Sequence, residues 1–111
     1  LNIKDYKVLV LPGGVKAMEK VRQEKKIIDF ISKFNEEKKI IACICSGAQL
    51  LISAGVVKGR KIAGYYSMKD DLINAGAIYT DKPAVIDGNI VTTAHYKDMG
   101  PWMREVIKKV K

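Results

Sequence analysis

Histidine and tryptophan each occur once in these 111 residues, and phenylalanine and cysteine only twice. With a single His, the Cys43-x-Cys45 pair lacks the further ligands that a zinc site would need. The stretch "LPGG" lacks the full glycine pattern of a dinucleotide motif, and no phosphate loop is present, so neither a metal nor a cofactor is expected. Two cysteines separated by one residue cannot staple a long loop, and strand geometry makes a mutual disulfide poor. Reduced thiols suit an intracellular protein. No apolar run approaches the roughly 18 to 20 residues of a membrane span, and no charged n-region followed by an apolar h-region opens the chain. A cytoplasmic location is the default expectation. Acidic residues are also scarce, 12 against 20 Lys and Arg, for a net charge of +8. That excess raises the question of nucleic acid. The lysines are scattered, however, with one short cluster at Lys108, Lys109 and Lys111, and a solvated surface accounts for them better. Hydrophobic residues at 48% and charged residues at 29% place the chain among folded domains, not disordered ones.

What is present alternates between two periodicities. A short apolar run, Val8 to Leu11, is stopped by Pro12, Gly13 and Gly14 and reads as a buried parallel strand. Ile27, Ile28, Ile31 and Phe34 then recur at helical spacing opposite a charged face. "KKIIACIC" reads as a second buried strand, and "SGAQLLISAG" as a helix closed by Gly55. "GRKIAGYY" predicts a short strand. Ser67 and Asp70 form a capping-box signal for a helix from about Met68 to Asn74, ended by Gly76. "AVIDGNIVTT" predicts a hairpin in which Asp87-Gly88 supplies two positive-φ positions. Pro101 suits the first position of a helix whose stripe is Trp102, Val106 and Val110. Strands alternating with helices predict one α/β layer sandwich with a largely parallel sheet.

The chemistry concentrates in "ICSGAQ", where a buried strand turns directly into a helix. Such a turn puts Cys45 at the carboxyl end of the sheet, where α/β folds bind ligands. A helix N-terminus stabilises a thiolate, and its free N–H groups can receive an oxyanion. Gly13 and Gly14, after the first strand, could bring further donors. An inert buried cysteine explains the local sequence equally well. Cys43, two residues upstream, reads as a small hydrophobe of the core. Asp70 and Asp71 read as residues favouring a helix dipole.

"LPGG", "ACICSGAQLLISAGVVKGRKIAGYYSMKDDLINAGA", "VIDGNIVTTAH" and "WMRE", in that order and spacing, resemble the ThiJ/PfpI family. Its members include intracellular cysteine peptidases and relatives assigned as glyoxalases or protein deglycases. The resemblance implies a flavodoxin-like three-layer sandwich with a C-terminal hairpin, and Cys45 as nucleophile. The elbow is also similar to the Cys-x-Gly-x-Gln pattern of the class I glutamine amidotransferases, here Cys45, Gly47 and Gln49.

Several positions depart from the family. In the peptidase-like branch a histidine follows the cysteine, where this chain has Ser46, and the acidic residue that supports it from a neighbouring subunit falls at Lys25, beside Glu24. In the deglycase-like branch a later histidine aligns with Tyr65, which could donate to an oxyanion or simply pack. His95 follows the last strand, as a triad histidine does in the amidotransferases, so a Cys45, His95, Asp98 relay is one reading and a surface histidine the other. Family domains also open with further strand and helix units carrying a glutamate bonded to the cysteine. Residues 1–111 are therefore expected to form a single domain that is incomplete at its N-terminus and that pairs with a missing segment on another chain or assembles as a dimer or higher homo-oligomer.

The resulting expectation is a cysteine hydrolase acting on peptides or on reactive aldehydes and their adducts. Cys45 would be the nucleophile, and amides near Ser46, Gly47, Gly13 and Gly14 would hold the oxyanion. The alternative is a weakened relative in which Cys45 is a thiol redox sensor.

Overall fold

A computed structural model describes residues 3–111. Strand β1 (Val8–Leu11) lies parallel to β2 (Ile40–Ile44), pairing Val8 with Ile40 and Leu11 with Cys43. β2 is in turn parallel to β6 (Ile90–Thr93), with Ile41 opposite Ile90 and Ile44 opposite Thr93. β5 (Val85–Asp87) pairs antiparallel with β6 and completes a four-stranded sheet of order β1-β2-β6-β5. The chain crosses from β1 to β2 through α1 (Val15–Val21) and α2 (Lys25–Glu36). From β2 it returns to the sheet through α3 (Ala48–Ser53), β3 (Lys61–Ile62), α4 (Lys69–Asn74) and β4 (Ile78–Tyr79). α5 (Met99–Val110) ends the fold.

The alternation of side chains along β2 builds the layers. Ile41 and Cys43 point into one core with Ile31 and Phe34 of α2, Leu50 and Leu51 of α3 and Leu72 of α4. Ala42 and Ile44 point the other way, onto Val91 and onto Trp102 and Val106 of α5. Helices on both faces of a mainly parallel sheet give the flavodoxin-like three-layer sandwich, hairpin included. Both helical stripes bury as expected at their centres, but Val110, the last residue of α5, is exposed.

Local chemistry departs from the sequence pattern at five points. Gly88 has φ +57 but Asp87 is not left-handed, so the hairpin loop is Gly88-Asn89, in keeping with a type II′ turn. Asp87 is held extended because its carboxylate accepts from the Lys61 N–H at 2.7 Å and lies 3.6 Å from the Arg60 guanidinium. Pro101 is the third residue of α5, still within the first turn where its missing N–H costs nothing. Ser67 lies inside a 3-10 turn, Tyr66–Met68, and makes no capping bond to α4. "GRKIAGYY" contributes only Lys61 and Ile62 to a strand, in a separate two-stranded sheet with β4. Helix α1 carries no periodic signal in the sequence; among its described side chains Met18 is buried and Val21 packs half-buried against the same core.

Candidate functional site

Ile44 ends β2 with extended backbone, and Cys45 opens a 3-10 turn, Cys45–Gly47, that runs straight into α3. Cys45 takes φ +57, a left-handed conformation that costs a non-glycine residue about 1–3 kcal/mol. Three contacts hold it there. The Tyr65 N–H donates to the Cys45 carbonyl at 3.2 Å. Gly47 passes so close to the β1–α1 loop that a methyl on it would stand 2.5 Å from the Leu11 carbonyl oxygen and 2.9 Å from that of Pro12. A methyl on Gly64 would strike Leu72 at 2.8 Å and Ala48 at 3.1 Å, so the next segment also presses on the start of α3.

The reversal of φ has a second effect. On a regular strand, residues two apart share a face. Cys43 belongs to the core under α2 and α3, whereas Cys45 packs on the opposite side with Ile44, Val91 and Trp102. The left-handed turn therefore separates the two thiols and leaves both reduced. Burial pushes the Cys43 thiol far above the ordinary thiol range, and the neighbouring Cys45 raises it further. It is inert as a nucleophile. Cys45 is 9% exposed.

The residues around Cys45 come from four segments. Ser46 is buried, and its hydroxyl lies 3.8 Å from the sulfur. Gly13 faces the thiol directly: a methyl there would stand 2.9 Å from Cys45 Cβ and 3.3 Å from the sulfur. Gly14, with φ +107, is the N-cap residue of α1. Tyr65 packs against Cys45, and its ring centroid is 6.2 Å from that of His95. His95 reaches the same edge of the sheet, and its Nδ1 accepts from the Lys97 N–H at 3.1 Å. That bond requires an unprotonated Nδ1, so a neutral ring carries its proton on Nε2. Among the described residues no hydrogen bond joins the His95 ring to Cys45 or to the Asp98 carboxylate; His95 and Asp98 meet only through the backbone, the Asp98 N–H donating to the His95 carbonyl at 3.0 Å. Gln49, buried in α3, turns away from the thiol and accepts from Arg22 at 3.3 Å, and Arg22 also donates to Ser53 at 2.9 Å.

Tyr96, which no motif in the sequence marks, also reaches the site: its hydroxyl accepts from the Gly13 N–H at 3.2 Å. Its position directly after His95, past the end of the last strand, was the available signal. Thr93, paired with Ile44 and fully buried, has no hydrogen-bond partner for its hydroxyl among the described residues. Among the described residues no group of three or more His, Cys, Asp or Glu side chains gathers as a metal site would require.

The sequence pattern of the DJ-1/PfpI family matches residues 1–109. Deglycase PfpI of Pyrococcus furiosus is 46% identical over 111 residues, covering 100% of this chain and 66% of that protein. The chain thus spans about two-thirds of that relative's length. Among solved structures, a two-domain protein from Anabaena variabilis with DJ-1/ThiJ/PfpI-like and ferritin-like domains superposes with a TM-score of 0.95 at 28% identity, over 99% of this chain and 31% of that one. DJ-1beta of Drosophila melanogaster gives a TM-score of 0.87 at 27% identity, over 96% of this chain and 58% of its own.

Proposed function

The chain belongs to the DJ-1/PfpI family, and on that premise we propose that it is a cysteine hydrolase of the peptidase or deglycase type, with Cys45 as the nucleophile toward carbonyl carbon. The observation that carries this reading is the left-handed backbone of Cys45 where β2 meets α3. Strain held in place by Gly47, Gly64 and the Tyr65 N–H is the kind of cost that persists where the geometry is used. Thiolate attack forms the carbon–sulfur bond and moves the carbonyl electron pair onto oxygen. For a peptide, collapse of that oxyanion breaks the carbon–nitrogen bond and the amine leaves with a proton; water then cleaves the acyl–sulfur bond, releasing the acid and restoring the thiol. Peptides and aldehyde adducts, the deglycase relative being named for the latter class, are the substrates to try.

The test pairs labelling with turnover. Iodoacetamide should modify Cys45 and spare Cys43 in the folded protein, and Cys45→Ala should abolish hydrolysis of a peptide or aldehyde-adduct panel. Turnover that survives Cys45→Ala overturns the assignment. One observation favours the redox-sensor reading: the sulfur's only hydrogen-bond neighbour among the described residues is the Ser46 hydroxyl, with no general base beside it. Peroxide oxidation of Cys45 with no turnover on any panel member would select that reading.

Assembly is part of the proposal. β1 is an edge of the sheet with Val10 49% exposed, and beside it an apolar groove of about 470 Å³ is lined by Leu9, Leu11, Ile27, Phe30 and Ile31. An unpaired edge with an apolar flank supports pairing with a second copy or another chain there. No helix among the described residues is long and apolar enough to cross a membrane.

A further inference from the structure

We propose that the Tyr96 hydroxyl is the donor that holds the carbonyl oxygen of a substrate attacked by Cys45. The proposal rests on the reading of Cys45 as nucleophile and adds to it a residue outside the elbow. A methyl built on Gly13 would stand 2.7 Å from the Tyr96 oxygen and 3.3 Å from the Cys45 sulfur. The hydroxyl and the thiol therefore lie no farther apart than the sum of those distances, on either side of one glycine. Within that span a carbon bonded to the sulfur can carry an oxygen that reaches the hydroxyl by one hydrogen bond.

The hydrogen bonding gives the hydroxyl its direction. Gly13 donates its N–H into the Tyr96 oxygen, so that amide is committed and is not itself free to receive an oxyanion. The hydroxyl accepts there and keeps its own proton, for which no acceptor exists among the hydrogen bonds of the described residues. A hydroxyl that accepts one hydrogen bond is a stronger donor in the next. Tyr96 is 46% exposed, so an incoming carbonyl can reach it.

His95 gains a role that needs no proton transfer. Tyr96 opens a 3-10 turn, Tyr96–Asp98, that His95 caps through its Nδ1, and the two rings meet edge to face at 6.3 Å. His95 is a positioning residue for Tyr96. In the step itself the Cys45 sulfur bonds to the carbonyl carbon, the C=O π pair moves to oxygen, and the thiol's proton ends on that oxygen. Tyr96 hydrogen-bonds to the oxygen throughout and retains its own proton.

The probe is N-acetyl-leucinal, labelled with ¹³C at the aldehyde carbon, whose addition to a thiol gives a hemithioacetal resolved by NMR. Iodoacetamide serves as the control, because displacement at its methylene builds no oxyanion. Tyr96→Phe, which keeps the ring, should weaken the Cys45 adduct about tenfold or more while changing the alkylation rate less than about twofold. An adduct equally tight or tighter in Tyr96→Phe overturns the proposal, since the freed Gly13 N–H would then be the better donor. A parallel loss of alkylation also overturns it, because the hydroxyl would then be placing the sulfur. If the wild-type protein forms no adduct that Cys45→Ala abolishes, the nucleophile reading fails first and this one with it.

Discussion

Strand β2 enters and leaves the sheet through residues of the same unusual backbone, Lys38 and Cys45, each with φ +57. At the amino end Lys38 closes α2: its N–H bonds to the Asn35 carbonyl and the Lys39 N–H to that of Phe34, a Schellman ending in which glycine is the usual occupant. α3 and α4 end the same way with Gly55 and Gly76. Lys38 is exposed and its side chain takes no part in the ending. At the carboxyl end the left-handed residue is buried, bears a thiol and is clamped by neighbouring backbone. The same dihedral angle is thus incidental to a helix ending at one end and central to a candidate site at the other.

The polar groups divide in the same way. At the amino end Arg60 donates to Asn35 Oδ1 at 2.8 Å, to the Asp87 carbonyl at 2.6 Å and to Asn89 Oδ1 at 2.8 Å. Asn89 passes the connection on to the Lys39 carbonyl at 2.8 Å. A cleft of about 910 Å³ opens there, but its arginine is already engaged by the protein itself through these three hydrogen bonds and the ion pair with Asp87. At the carboxyl end the Cys45 sulfur, the Thr93 hydroxyl and the Tyr96 proton are weakly bonded or unbonded. One end fastens the hairpin to α2, and at the other the thiol and the Tyr96 proton stand without a strong partner among the described residues, with the Thr93 hydroxyl buried.

The comparison is broken most directly at the elbow. Gly47→Ala drives a methyl into two backbone carbonyls and should cost about 3 kcal/mol of stability, read as a fall in urea midpoint, with a change in the Cys45 alkylation rate. Unchanged stability would show that the loop against Gly47 yields easily. Arg60→Ala should cost about 2 kcal/mol, counting its hydrogen bonds and giving its partly exposed ion pair little weight. Alkylation of Cys45 should stay at the wild-type rate; a parallel fall would join the two ends that the comparison separates. Lys38→Gly has the smallest effect and the opposite sign, a gain of about 1 kcal/mol as the left-handed strain is relieved against the greater chain entropy of glycine. A loss would mean that the lysine side chain has work to do.

Much of this architecture was legible in the residues. The apolar runs at Val8–Leu11 and Ile40–Ile44, the α2 stripe and the glycine helix endings are local signals and form the expected elements, although β1, expected to be buried, stands at the sheet edge with only Leu11 buried. Features that depend on distant partners were misplaced. The hairpin loop shifted by one residue because Asp87 is engaged by Lys61 and Arg60, both far away in the chain. The short strand expected in "GRKIAGYY" does form, but it lies in a separate two-stranded sheet and ends at Ile62, with Gly64 and Tyr65 drawn against the elbow. Of the candidate site, Cys45, Gly13, Tyr65 and His95 do meet at one edge, whereas Gln49 faces Arg22 and Gly14 caps α1.

Local periodicity and turn chemistry determined the layers, the parallel order of elements and the position of a cysteine between strand and helix, since each depends on residues within one turn or one strand. Tertiary packing alone decided which face Cys45 would take and which donor would stand beside it. A left-handed φ at a non-glycine residue is unfavourable in isolation and persists where surrounding structure holds it, here Leu11 and Pro12 against Gly47, Gly64 against Ala48, and the Tyr65 N–H on the Cys45 carbonyl.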